Sequence, residues 1–213
     1  MKTKRSISLL GLMLLSALFL MASSAQAGVI VDQQNTSTNA DFEALGTSPS
    51  AGQSFTPTLA LIDFATFNLG VTAAATYRVD LYSGDGFGGA VLGSSSSQAL
   101  PVIAGFGGEQ PVEFDFSSQI AISPGSVFTL RLVDTSAPAS LGILSRDSSS
   151  NPYAGGVEYV FGFSIPGNDL VFSEGIHTTA TPEPSSFVTG FLGLGLTATA
   201  WLRRKKARIL IAR

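Results

Sequence analysis

No cysteine occurs among the 213 residues. That excludes disulfide staples, thiolate ligands and a cysteine nucleophile, although an exported domain is free to use disulfides. Histidine occurs once, at His177, so a metal centre built of histidine and cysteine ligands is excluded on ligand count. A Ser-His-Asp hydrolase would have to rest on that one side chain. The strand pattern places it between the last strand and the C-terminal tail, as an exposed linker residue. Tryptophan also occurs once, as Trp201 near the C-terminus. Lysine is missing from the whole stretch between Gly28 and Pro182, where Arg78, Arg131 and Arg146 are the only bases against fourteen acids. The stretch therefore carries a net charge of −11, although the chain as a whole carries −3. Binding to nucleic acid by phosphate neutralisation is excluded by that balance. The same stretch lacks any long apolar run of 3.6-residue period, so extended amphipathic helices are not expected there.

The bases absent from the middle are gathered at the two ends. Lys2, Lys4 and Arg5 precede an apolar run from Ile7 to Ala22, and Ala25-Gln26-Ala27 follows as a small-x-small cleavage site. This is the pattern of a secretory signal peptide over residues 1–27, removed by signal peptidase so that the mature chain begins at Gly28.

At the other end, Thr181-Pro182-Glu183-Pro184-Ser185-Ser186 leads into an uncharged stretch, Phe187 to Leu202, which is closed by Arg203, Arg204, Lys205 and Lys206. The prolines end the preceding domain because they continue neither a helix nor a central strand. As a helix the apolar stretch spans roughly 24 Å, a little short of the ~30 Å hydrocarbon core, and the basic cluster favours the cytoplasmic side. These parts, in this order, resemble the PEP-CTERM sorting signal of Gram-negative bacteria. The resemblance rests on Pro182-Glu183-Pro184, on the Gly-rich apolar stretch with Gly190, Gly193 and Gly195, and on the basic cluster from Arg203. It covers about the last thirty residues, 180–213, and departs only in a slightly long tail after the cluster. It implies handling by an exosortase, a membrane transpeptidase, a transient stay in the inner membrane, and delivery to the cell surface or extracellular matrix.

Residues 28–179 form one domain's worth of chain, enough for a single core. Tyr77-Arg78-Val79-Asp80-Leu81 alternates apolar and charged residues, and so does Val112-Glu113-Phe114-Asp115-Phe116. This period of two places Tyr77, Val79, Leu81, Val112, Phe114 and Phe116 inward and the charges outward. Phe128, Leu130 and Leu132 mark a further inward face. Gln33 to Ser50 is polar and reads as a loop, Val157 to Phe163 reads as one strand, and Asp169 to Ser173 reads as the last strand. About eight short strands separated by Gly/Pro/Ser turns predict an all-β, antiparallel, jelly-roll-like β-sandwich, followed by one C-terminal transmembrane helix. The body also resembles exported bacterial β-sandwich modules of the choice-of-anchor kind. The stretches that carry this are Gly52-Gln53-Ser54-Phe55-Thr56, Tyr77 to Tyr82, Val112 to Ser117 and Asp169 to Phe172. That resemblance implies a fold and a surface address and supplies no catalytic residues.

Three chemistries remain open to the body. Asp80 and Asp85, with Ser83 and the backbone of a Gly-Asp-Gly turn, offer hard oxygen ligands suited to calcium, although the spacing is not that of an EF-hand. Glu113 and Asp115 share a strand face roughly 7 Å apart, a spacing open to glycosidase work and equally to an ordinary solvated face. Tyr82, Phe87, Phe106, Tyr153 and Tyr159 lie near loops or strand ends, where they would serve either a carbohydrate platform or rim packing. The sequence is therefore read as that of an exported protein without enzymatic activity. Binding of extracellular polysaccharide is the first alternative and hydrolysis the lesser one.

Overall fold

Where apolar and polar residues alternate, the chain pairs into strands. A computed structural model describes residues 28–45, 51–103, 107–136, 141–149 and 151–179. The signal peptide and sorting tail expected from the sequence lie outside these residues. The described strands are, in order, β1 (Gly28–Asn35), β2 (Asp41–Leu45), β3 (Ala51–Phe55), β4 (Leu61–Val71), β5 (Ala75–Ser83), β6 (Val91–Ser94) and β7 (Gln98–Leu100). They continue with β8 (Gln110–Ala121), β9 (Phe128–Asp134), β10 (Gly142–Asp147), β11 (Glu158–Val160), β12 (Phe163–Ile165), β13 (Asp169–Leu170) and β14 (Phe172–Thr178). They belong to one compact unit, Gly28–Thr178.

Two antiparallel sheets make a sandwich. The first runs β1-β14-β4-β10-β13, with β2 also on β10 and β8 also on β4. The second runs β12-β11-β3-β9-β5-β6, with β7 also on β5. The inward faces are those the alternation predicts. Tyr77, Val79 and Leu81 on β5 are buried with Phe128, Leu130 and Leu132 on β9, opposite Phe67, Val112, Phe114 and Phe116 of the first sheet. Each such side chain contributes about 1.5–3 kcal/mol by leaving water, which is how a cysteine-free domain holds its sheets together.

Four expectations need correction. The polar stretch from Gln33 is not all loop: β1 runs to Asn35, and β2 lies within it. Its alternation is weak, and it becomes a strand because Asp41 and Glu43 pair with Arg146 on the neighbouring β10. The stretch Val157 to Phe163 is not one strand but the hairpin β11–β12. Phe161 (φ 52°) and Gly162 (φ 86°) turn through the left-handed region, as tight hairpins require. Breaks of this kind give fourteen short strands among the described residues, not about eight. Finally, the last strand continues to Thr178, so His177 is a sheet residue and not a linker residue.

One irregularity prepares the site described next. Pairing of β4 with β8 shifts register between Ile62 and Phe64. Ile62 and Ala65, three residues apart, thus both face the core, and Phe64 turns to the opposite face of the sheet.

Candidate functional site

On the outer face of the first sheet, three adjacent strands bring four polar side chains together. β8 supplies Glu113 and Asp115, β4 supplies Asp63 at the register shift, and β14 supplies His177. The backbone N–H of His177 donates to Asp63 Oδ1 at 2.8 Å, and the imidazole Nδ1 lies 3.0 Å from the same oxygen. Gln119 donates to the other oxygen at 3.3 Å. An ionised carboxylate only accepts, so the Nδ1 contact requires a proton on Nδ1. The second ring nitrogen, Nε2, is 3.4 Å from Glu113 Oε1 and 4.0 Å from Asp115 Oδ1. Burial alone would lower the pKa of His177. Asp63 and Glu113 outweigh that effect and hold it above the ordinary histidine value. The ring of Phe64 backs the imidazole with centroids 5.0 Å apart. Among the described residues, Glu113, Asp115 and His177 form a group whose ligand atoms lie within 4.8 Å of one another.

Sequence reading found Glu113 and Asp115 and placed them correctly outward. It missed Asp63, and it assigned His177 to a linker. The two acids expected to hold calcium stand in different surroundings. Asp80 is buried, and both its oxygens accept from Arg78, at 2.9 and 3.3 Å. Asp85 is exposed on its turn and acts on the hydroxyl of Tyr159.

Two further acidic groups lie inside the sandwich. Arg146 on β10 contacts Asp41 at 3.2 Å, Glu43 at 2.8 Å and, from the second sheet, Glu158 at 3.7 Å. Glu158 is fully buried, and burial pushes its carboxyl up to about 7 against the pull of Arg146. Glu174 on β14 is also fully buried. Its carboxyl is pushed up to about 8, first by burial and then by neighbouring Asp32. Asp32 itself is held down by Thr58 and Leu59, whose backbone N–H groups donate to it, although its own burial opposes this. Glu158 and Glu174 have no surface open to a substrate, and the shallow depression on the first sheet, lined by Gln34, Thr66, Asn68 and Pro111 among others, includes neither.

The aromatics open to a carbohydrate platform are mostly consumed by packing. Tyr82, Tyr153 and Tyr159 are buried. Phe87 folds back from its turn onto the second sheet, between Tyr82 and Tyr159 and under the guanidinium of Arg131. Phe106 lies outside the described residues. Among the described residues the most exposed aromatics are instead Phe161 and Phe163 on the β11–β12 hairpin, at 52% and 73%, ahead of Phe42 on β2. Alternation gave no sign of them, because it reports which face a residue occupies and not whether a second layer covers that face.

No protein-family model and no curated protein matches the chain. Among solved structures it is similar to the cysteine protease and lectin-like domains of Cwp84, a surface layer associated protein of Clostridium difficile. The identity is 9%, the TM-score 0.39, and the match covers 68% of this chain and 37% of that one. It is similar also to the clostridial cysteine protease Cwp84 after propeptide cleavage, at 8% identity and a TM-score of 0.44, over 71% of this chain and 40% of that one. The chain thus spans about two fifths of the length of these proteins, and no residue role passes from them to it.

Proposed function

We propose that the chain is an exported, non-enzymatic protein of the cell surface or extracellular matrix of a Gram-negative bacterium, sorted by its C-terminal signal. The observation that carries this reading is the fit between the sandwich and the two processing motifs. The compact unit begins at Gly28, next to Ala27, and ends at Thr178, four residues before Pro182. Signal peptidase acting after Ala27 and an exosortase acting near Pro182-Glu183-Pro184 would release an intact sandwich. The polar groups of the body suit this role better than catalysis. Glu113 and Asp115 stand on an open sheet face, with side chains 45% and 69% exposed, where nothing excludes water from a reacting bond. The test is intact mass and N-terminal sequencing of the protein recovered from the cell surface. A chain that begins at Gly28 and lacks Phe187 to Arg213 is expected. A surface form that retains Met1 or Arg213 overturns the reading.

A second reading, binding of extracellular polysaccharide, is favoured by Phe161 and Phe163. They project from a hairpin at the edge of the second sheet, open to stacking against sugar rings. No binding to a polysaccharide array removes this reading without touching the first, and binding that survives Phe161→Ala with Phe163→Ala removes the hairpin's part in it.

A further inference from the structure

We propose that His177, Glu113 and Asp115 form a site for one divalent transition-metal ion of the zinc class on the outer face of the sandwich. The donor set is one imidazole nitrogen and two carboxylate oxygens, which zinc accepts readily. An ion about 2.0–2.2 Å from each of three tetrahedral ligands separates those ligands by roughly 3.3–3.6 Å. Nε2 and Glu113 Oε1 already stand 3.4 Å apart, loose for a hydrogen bond and fitting for an edge of such a polyhedron. Asp115 Oδ1 is 4.0 Å from Nε2, and its side chain is exposed and free to rotate inward.

Asp63 carries the inference beyond proximity. By holding the proton on Nδ1 it directs the lone pair of the neutral ring to Nε2, the nitrogen that faces the two carboxylates. A carboxylate behind a ligating histidine is the usual outer support of a zinc site: it fixes the tautomer, orients the ring and raises its basicity. Asp63 is itself held by the backbone N–H of His177 and by Gln119, and Phe64 packs against the imidazole. Hydrogen-bonded neighbouring strands supply all of these parts, so little ordering is needed on binding. Charge points the same way. Three carboxylates surround one imidazole, and the sequence from Gly28 to Pro182 is strongly acidic. Calcium fits poorly, because it takes six to eight oxygens and this face offers a nitrogen among few side-chain oxygens. Glu113 and Asp115 are exposed and His177 is half-buried, which leaves the remaining coordination positions to water or to an oxygen of a second molecule.

The test is isothermal titration calorimetry of the full-length chain in detergent, without an oligohistidine tag, with zinc chloride at neutral pH and calcium chloride as the comparison. One zinc per chain is expected, bound more tightly than calcium. His177→Ala should weaken zinc binding at least tenfold, and so should Glu113→Gln combined with Asp115→Asn. Asp63→Asn, which removes only the support, should weaken it about 10–100-fold. The paired amide variant changes exposed side chains alone, so it keeps the test valid even if His177→Ala unfolds, and circular dichroism reads the fold of each. No stoichiometric zinc binding, or affinity unchanged in the paired variant, overturns the proposal and leaves an imidazole–carboxylate ion pair. Calcium bound as tightly as zinc overturns it as well.

Discussion

The side-chain amide of Gln53 donates to the carboxylate of Asp169 at 2.8 Å, and the two residues belong to different sheets. The carbonyl of the same amide accepts from the backbone N–H of Leu170, also at 2.8 Å, and Tyr153 N–H donates to the second carboxylate oxygen. Gln53 and Asp169 are fully buried. In a domain without disulfides this polar clamp ties one sheet to the other. Gln53→Leu keeps the volume and strands one carboxylate oxygen of Asp169 and the Leu170 N–H in a dry interior. A loss of about 3 kcal/mol or more is expected in urea unfolding. Adding Asp169→Leu should recover part of that loss, since removing both partners is milder than removing one.

Glu174 makes stability depend on pH. Its folded pKa, about 8, lies above the ordinary value of 4.5, so the folded chain holds a proton that the unfolded chain releases. Its contribution is fully present below about pH 4.5 and is lost as pH rises through about 8, with a slope near 1.4 kcal/mol per pH unit inside that window. Glu158 acts in the same direction up to about pH 7. The melting temperature should therefore fall between pH 5 and pH 8. Glu174→Gln should flatten that fall and raise the melting temperature at pH 8, with little effect at pH 5. A wild-type melting curve that does not move across this range contradicts the buried protonated acid.

Gly52 is the socket for Phe87. A Cβ on Gly52 would stand 2.8 Å from the Phe87 ring and would also meet the backbone carbonyl of Leu130. Gly52→Ala is expected to cost about 1–3 kcal/mol by overpacking. Because one of the two obstacles is backbone, combining it with Phe87→Ala should not restore the wild-type melting temperature. Full restoration would mean that Leu130 gives way easily.

Processing is the prediction the sequence carries without the fold. Replacing Pro182, Glu183 and Pro184 with alanines should leave full-length protein in the inner membrane, because the proposed transpeptidase would lose its Pro-Glu-Pro motif and alanine, unlike proline, favours helix. Replacing Arg203, Arg204, Lys205 and Lys206 should reduce correct insertion. Membrane fractionation with mass spectrometry reads both. Normal surface delivery of the triple-alanine chain would sink the sorting assignment.

The sequence shows its sandwich wherever one face is dry and the other wet. Val112 to Phe116 and Tyr77 to Leu81 alternate cleanly, and the structure buries the apolar members of both. It hides its strands where pairing, not patterning, makes them. β2 exists because Arg146 on β10 gathers Asp41 and Glu43, a contact more than a hundred residues away in the chain. The site was half legible for a related reason. Glu113 and Asp115 follow from period two, whereas Asp63 reaches His177 only through a register shift that no local pattern announces. Asp80 shows the converse: it does face outward, yet Arg78 closes over it and it is no longer wet.

The first and last strands of the sandwich are neighbours, and Gly28 lies directly opposite Thr178. Both ends of the folded unit thus leave it side by side at one pole. A force drawing those ends apart would load the β1–β14 ladder at its first rung, then at the next, and never all rungs together, because ladder bonds lie across the strands. Such a pair peels like a zipper and resists little. A force applied to the C-terminal end alone, with the body dragged through liquid, instead pulls β14 lengthwise between β1 and β4, where many rungs share the load. The same sandwich is then weak when stretched between its own ends and strong when it hangs from one tether.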